Sequence, residues 1–346
     1  MRVGFFSDSY FPEIDGVSYT LKSWRDRLEE RGHEVYIIYP DSDRYEPGER
    51  EIPVPSLPNP FYSGYNVPFP VNTGRFPEVD VVHCHSPFNL GRVGRYYARI
   101  RDLPTVYTHH TPVEEYFEQA TRSEAMAKMI EKLYLPLENR FMRKFDTVTS
   151  STSRINRDVE TVQLPVGLDM RFFEPRDGSF VDELEGPVAG YSGRISMEKN
   201  VEKLLEFAGG FDGTVMIVGE GPRKEALVRK APDNVVFRDF LDREKLPEFY
   251  SGIDVFVTAS TGDTLGLSTL EANSCGTPVA APDVPPFDET IQGENGLRYD
   301  LDDMEDMREK IRGCLKGEFS TREAVRGYSL EKTIDGLEEI YTAITG

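Results

Sequence analysis

The stretch Ser260-Thr261-Gly262-Asp263-Thr264-Leu265-Gly266-Leu267-Ser268-Thr269-Leu270-Glu271-Ala272 follows an apolar run and opens a helical segment. Small residues let backbone approach a ligand, free amides at a helix start favour anionic oxygens, and a carboxylate two turns on accepts bonds from vicinal hydroxyls. This pattern suits a sugar nucleotide, with phosphate on the amides and ribose on Glu271. Standing alone, the stretch reads equally well as an ordinary helix start capped by Asp263. A second stretch, Gly193-Arg194-Ile195-Ser196-Met197-Glu198-Lys199-Asn200, precedes a helix with Val201, Leu204, Leu205 and Ala208 on one face. Arg194 and Lys199 then flank the same sheet edge, where two fixed cations and a helix N-terminus neutralise a departing diphosphate without a metal. A solvated Glu198–Lys199 pair is the competing account. Four of the five histidines form two pairs, His83 with His85 and His109 with His110, each at the end of a predicted strand. No carboxylate is patterned with them, so sugar-contacting imidazoles are expected in preference to a metal site. Asp41-Ser42-Asp43 has metal-binding spacing but falls in a polar loop.

For these groups to converge, the chain must bring several loops to one sheet edge. Short apolar runs, each followed by a Gly- or Ser-rich turn and a segment of helical period, mark βα units on a parallel sheet. Val3 to Phe6, Val35 to Tyr39, Val79 to His83, Thr105 to Thr108 and Thr147 to Thr149 read as buried strands of a first half. Val188 to Tyr191, Thr214 to Val218, Val235 to Phe237, Val255 to Thr258 and Pro278 to Ala281 read as those of a second. Val17, Leu21, Trp24 and Leu28 repeat at helical spacing before Gly32, which supplies a left-handed stop. The polar stretch 168–186 is expected to be the linker, and the Pro-rich segment 40–77 a long loop with no long helix. Ligands of open α/β sheets bind at the carboxyl ends of the strands, so a cleft between the halves is the expected site.

The 346 residues suit two domains at about 150 residues each. With 40 basic and 60 acidic residues the net charge is −20, which argues against nucleic acid as a partner. Such a surface fits high intracellular salt or an ordinary acidic cytoplasmic protein. Cys84, Cys275 and Cys314 are far apart with no C-x-x-C pair, which points to a reducing compartment. No apolar run reaches about 18 residues and no signal-peptide pattern follows Met1. The chain is therefore expected in the cytoplasm, dissolved or at the inner face of the membrane. Segment 122–144 gathers Arg122, Lys128, Lys132, Arg140, Arg143 and Lys144 among Met126, Met129, Ile130, Leu133, Leu137 and Phe141, a candidate membrane-surface face. Glu124, Glu131 and Glu138 dilute it, and the alternative is that its apolar residues pack on the first domain while its charges, these glutamates included, are solvated. No G-x-G-x-x-G follows the first strand, which disfavours a dinucleotide oxidoreductase.

Gly193 to Asn200, Gly219-Glu220-Gly221-Pro222, Val235-Val236-Phe237, Asp263 to Glu271 and Gly276-Thr277-Pro278-Val279 occur in a familiar order and spacing. So do Phe11 to Val17, Gly32-His33-Glu34-Val35, Val82 to Pro87, Tyr107 to Thr111 and Pro165 to Asp169. Together they resemble the family 4 retaining glycosyltransferases of the GT-B fold, nearest the branch with lipid-directed mannosyl-, glucosyl- and sulfoquinovosyltransferases. The resemblance implies an α/β protein of two Rossmann-like, doubly wound domains facing a cleft. Residues 1–170, completed by a terminal helix within 328–346, would form the acceptor side, and 171–327 the nucleotide-sugar side. It implies a hexose moved from a nucleoside-diphosphate sugar to a hydroxyl of a lipid or lipid-linked glycan, with no cofactor and no metal. Gly16 would lend its amide to the donor phosphate, Arg194 and Lys199 would hold the diphosphate, Leu265, Gly266 and Leu267 would offer amides, and Glu271 would hold the ribose. Phe240 would belong to the donor pocket. His110 would face the transferred sugar, with His109 as the register alternative. Asp263 stands where the family's paired-glutamate motif has its first Glu, and Phe237-Arg238-Asp239 stands where Phe-x-Gly is common. A sugar-nucleotide epimerase on the same fold is the rival reading, which would need no acceptor.

Overall fold

Strands made of uninterrupted apolar runs must be covered on both faces, which parallel βα architecture does. The computed structural model describes residues 1–13, 16–58, 66–69, 73–110, 124–152 and 158–346. Its first sheet uses β1 (Arg2–Phe6), β2 (Glu34–Pro40), β3 (Glu51–Val54), β6 (Val81–Cys84), β7 (Thr105–His109), β8 (Thr147–Ser150) and β9 (Val162–Gln163). These are parallel, in the order β3-β2-β1-β6-β7-β8-β9. A separate hairpin joins β4 (Ser56–Pro58) to β5 (Asn66–Pro68). Helix α1 (Gly16–Glu30) buries Leu21, Trp24 and Leu28 and stops at Gly32, whose φ of +87° few other residues adopt. Helix α2 (Asn89–Arg101) has no cap from its own flanking residue; Asp8, after β1, accepts the Leu90 amide at 3.1 Å instead. Helix α3 (Glu124–Met142) precedes β8.

The second sheet takes β10 (Val188–Ser192), β11 (Thr214–Val218), β12 (Val235–Arg238), β13 (Val255–Val257), β14 (Val279–Pro282) and β15 (Gly296–Tyr299) in the order β12-β11-β10-β13-β14-β15, again parallel. Helices α4 (Val201–Ala208), α5 (Leu246–Gly252), α6 (Leu267–Ser274) and α7 (Met304–Lys316) belong to this half. The last helix, α8 (Leu330–Thr345), returns to the first: Leu330, Ile334, Leu337 and Tyr341 are buried in one cluster with Val3, Trp24 and Leu28. The two compact units are Met1–Gly167 with Leu330–Gly346, and Leu168–Ser329. Ile334 is fully buried, so Ile334→Ala is expected to cost about 2–5 kcal/mol through lost transfer energy and the cavity left behind. Urea unfolding followed by Trp24 fluorescence measures it.

Two expectations need correction. The stretch 168–186 is not a linker but the opening of the second unit. It buries Leu168, Met170, Phe173 and Val181, and the Arg322 guanidinium donates to the carbonyls of Met170 (2.6 Å) and Phe173 (2.7 Å). The segment 40–77 is not a plain loop either, since it holds β3 and the hairpin. Pro53 is tolerated because β3 is an edge strand, where a missing N–H interrupts no ladder.

Candidate active site

In an open parallel sheet, neighbouring loops diverge where the strand order reverses, and that crevice at the strand carboxyl ends receives ligands. In the second unit the reversal lies between β10 and β13. The loops that follow them carry both chemically suggestive stretches. They are fastened to each other: the Thr261 amide donates to the Glu198 carbonyl at 2.9 Å, and Asn200 Nδ2 to the Ala259 carbonyl at 3.1 Å. Across this junction Lys199 Nζ lies 3.0 Å from Asp263 Oδ1 and donates to the Gly262 carbonyl (3.2 Å) and Ser260 Oγ (3.3 Å). The competing Glu198–Lys199 pair does not form; Glu198 accepts from Ser196 Oγ. Arg194 is exposed and makes no ion pair among the described residues.

Gly266 opens α6 with φ +73°, and a Cβ there would meet the Phe287 ring at 2.7 Å, so only glycine suits the turn. Leu265 is buried beneath it, and the first amides of α6, from Leu267 on, are those a helix leaves unbonded. Further along α6, Glu271 Oε2 accepts from the Tyr250 hydroxyl at 2.8 Å, and Ser192 Oγ lies 2.8 Å from that same hydroxyl. Burial raises the Glu271 carboxyl above its ordinary value, and the Tyr250 bond partly offsets this. Phe240 follows β12 and is 59% exposed, an uncovered ring close in sequence to the Asp239 carboxylate held by Lys224 at 2.7 Å.

In the first unit the order reverses between β1 and β6. Gly16 begins α1 after β1, and an added Cβ there would touch nothing within 4 Å among the described residues. After β6 and β7 stand the histidines. His83 is wholly internal, 2.7 Å from both the Tyr341 hydroxyl and Thr108 Oγ1, so it is not the sugar-contacting group expected of it. His109 is buried with Nε2 3.8 Å from Glu138 Oε1. That carboxylate, expected on a solvated face of α3, is 2% exposed, so a carboxylate does accompany the histidines. His110 keeps 9% of its surface, and its Nε2 lies 2.9 Å from His85 Nδ1. Burial, with His109 nearby, lowers His110 to about 3, and burial takes His85 well below the usual histidine range. Both are neutral at physiological pH. Asp41 accepts from Ser56 Oγ at 2.6 Å, an internal loop fastening.

Thus Lys199 and Asp263 meet directly, Glu271 is held by an unforeseen Tyr250, and His110 by His85. Tyr250 carries no motif of its own; only folding sets α5 beside α6. In α3, Met129, Leu133 and Leu137, spaced four apart, are exposed along with Lys128, Lys132 and Arg140, and Lys144, just past the helix, is exposed as well. Phe141 and Met142 pack inward. Arg122 lies outside the described residues, as do the side chains of Glu124, Met126, Ile130 and Glu131.

Two Rossmann-like units, each built on a parallel sheet with a polar cluster at its switch point, are the units of a GT-B fold. A solved sucrose-phosphate synthase from Thermosynechococcus elongatus superposes with TM-score 0.75, covering 99% of this chain and 98% of that one at 19% identity, a likeness of fold. Residues 14–166 match Glycosyltransferase Family 4 and residues 178–331 match Glycosyl transferases group 1. A GDP-mannose-dependent alpha-mannosyltransferase of Mycolicibacterium smegmatis is 31% identical over 331 residues, 88% of this chain and 86% of the relative. An alpha-monoglucosyldiacylglycerol synthase of Streptococcus pneumoniae is 27% identical over 315 residues, 81% of this chain and 71% of the relative. The chain belongs to the family 4, group 1 glycosyltransferases and is a hexosyltransferase.

Proposed function

We propose that this enzyme moves a hexose, with retention at the anomeric carbon, from a nucleoside-diphosphate hexose to a hydroxyl of a membrane glycerolipid or lipid-linked glycan. The junction of Lys199 with Asp263 at the β10/β13 reversal carries the reading, because it sets a fixed cation and a carboxylate where open sheets take their ligands. In the proposed complex Lys199 and the exposed Arg194 face the diphosphate, joined by the amides of Leu265, Gly266 and Leu267. Glu271 accepts the ribose hydroxyls, and Phe240 lies toward the base. Asp263 is assigned to the transferred sugar, and on the first unit Gly16 to the donor phosphate and His110 to the sugar. Departing diphosphate charge then meets two cations and helix-start amides, so the transfer needs no metal or other cofactor. Two relatives, the GDP-mannose-dependent alpha-mannosyltransferase and the alpha-monoglucosyldiacylglycerol synthase, support a nucleotide-sugar donor and a lipid acceptor.

No described helix is long and apolar enough to cross a membrane. The reading places the enzyme at the cytoplasmic leaflet, seated through α3 by its exposed Met129, Leu133, Leu137 and flanking cations. Each Lys or Arg near an anionic leaflet contributes about 1 kcal/mol, against the repulsion of a chain with net charge −20. The test is incubation of UDP- and GDP-hexoses with anionic vesicles containing diacylglycerol, scoring glycolipid and its anomeric form. Charge reversal at Lys128, Lys132, Arg140 and Lys144 is expected to abolish vesicle sedimentation while sparing nucleotide binding. Release of an altered sugar nucleotide from donor alone would mark an epimerase, and wild-type protein that ignores vesicles at every salt yet glycosylates a water-soluble sugar would defeat the lipid assignment.

A further inference from the structure

We infer that His85 is a positioning residue that holds His110 in the tautomer with its proton on Nδ1, so that His110 meets the substrate as a hydrogen-bond donor and not as a base. The inference rests on the reading of His110 as the sugar-facing group and deepens it.

One proton lies between His85 Nδ1 and His110 Nε2, which are 2.9 Å apart in rings within 25° of coplanar. That is the arrangement of an N–H aimed along an in-plane lone pair. Both rings are neutral, so each carries a single proton and two arrangements exist. If His110 donates, His85 must carry its own proton on Nε2. That atom is buried with no hydrogen-bond partner among the described residues, beside Phe5 and Trp24, so a buried N–H would be stranded. If His85 donates from Nδ1, only a ring lone pair is left unpaired. Orphaned buried N–H groups are the rarer and costlier defect, so the second arrangement is favoured. His83 cannot relieve the alternative: its two nitrogens are already engaged by Tyr341 and Thr108. With its Nε2 occupied as an acceptor, neutral His110 must carry its proton on Nδ1. That nitrogen has no partner among the described residues, and the ring retains some exposure. It is therefore available to donate to a hydroxyl oxygen of the transferred sugar, and has no lone pair with which to take the acceptor's proton.

Long-range ¹H–¹⁵N correlation of the ¹⁵N-labelled full chain at neutral pH reads the tautomer directly, with the His85 and His110 resonances identified by substitution. Protonated Nδ1 on both rings is expected; protonated Nε2 on His110 overturns the inference. A kinetic pair reads the consequence. His85→Asn offers an amide N–H near the Nδ1 position, whereas His85→Asp, of the same shape, offers only acceptors. A wrong tautomer alone costs about 10⁴ in rate in the Ser-His-Asp triad, so His85→Asp is expected to lower kcat at least about tenfold. It should also add an ionisation to the pH profile, as the new carboxylate stabilises charged His110. His85→Asn should stay close to wild type, and both variants should bind nucleoside diphosphate normally. Equal kcat losses in the two variants, with nucleotide binding intact, overturn the positioning role. Unchanged kcat in His110→Ala overturns instead the sugar-facing reading, and the tautomer measurement keeps the two failures apart.

Discussion

Replacing Arg194 and Lys199 together by alanine is expected to lower the single-turnover rate about a thousandfold while leaving both units folded. Removing one preorganised group from developing negative charge costs about 10²–10³ in rate, and effects within one cluster do not add fully. Arg194 is the cleaner probe, because it is exposed and pairs with no carboxylate among the described residues. Lys199 also fastens the Gly262 carbonyl and Ser260 Oγ, so Lys199→Met, which keeps the stem, is the better single substitution. Rapid-quench measurement with saturating donor separates chemistry from binding. Near-normal chemistry in the double variant would show that both cations are surface groups, and would remove the junction from the mechanism.

Loss of the Glu271 carboxylate should act on binding instead. Glu271→Ala is expected to weaken nucleoside diphosphate about 10- to 150-fold, the equivalent of about 1.5–3 kcal/mol for a charged hydrogen bond. The carboxyl is raised by burial, so it takes up a proton at higher pH than an exposed glutamate. Nucleotide affinity should therefore fall as pH drops and begin to fall above the ordinary carboxylate range. Glu271→Gln should flatten that part of the profile, leaving only the ionisation of the phosphate itself. Isothermal titration across pH 5–8 for wild type and both variants checks the pair of effects; an Ala variant with unchanged affinity takes Glu271 out of the ribose site.

The strand Thr214–Val218 was legible because four of its five residues are β-branched and all five are buried, so both faces are covered. The run β15, Gly296-Leu-Arg-Tyr, was not, since its middle residues are only half-buried and its first is glycine. At the site, spacing exposed the two loops and their ligand-seeking groups, but not how those groups satisfy one another. Glu198 is the sequence neighbour of Lys199, yet the short helical turn at 197–199 sends Lys199 across to Asp263. Glu138 shares a seven-residue spacing with Glu124 and Glu131, which reads as one wet face; burial against His109 depends on what α3 packs upon, and no periodicity encodes that. The 168–186 stretch misled for a related reason. Its buried Leu168, Met170 and Phe173 show no helical or strand period, because Arg322, far along the chain, holds their backbone in an irregular path.

The return of α8 to the first unit has a consequence for the order of assembly on the ribosome. The second unit is one continuous segment and has all its residues once Ser329 has emerged. The first unit, although synthesised earlier, must wait for Leu330, Ile334, Leu337 and Tyr341 before the apolar surface around Val3, Trp24 and Leu28 is covered. His83 likewise gains its Tyr341 hydroxyl only then. The half that carries the histidines is thus begun first yet closed only after the second unit has all its residues, and until α8 emerges its core presents to the nascent-chain environment an oily seam.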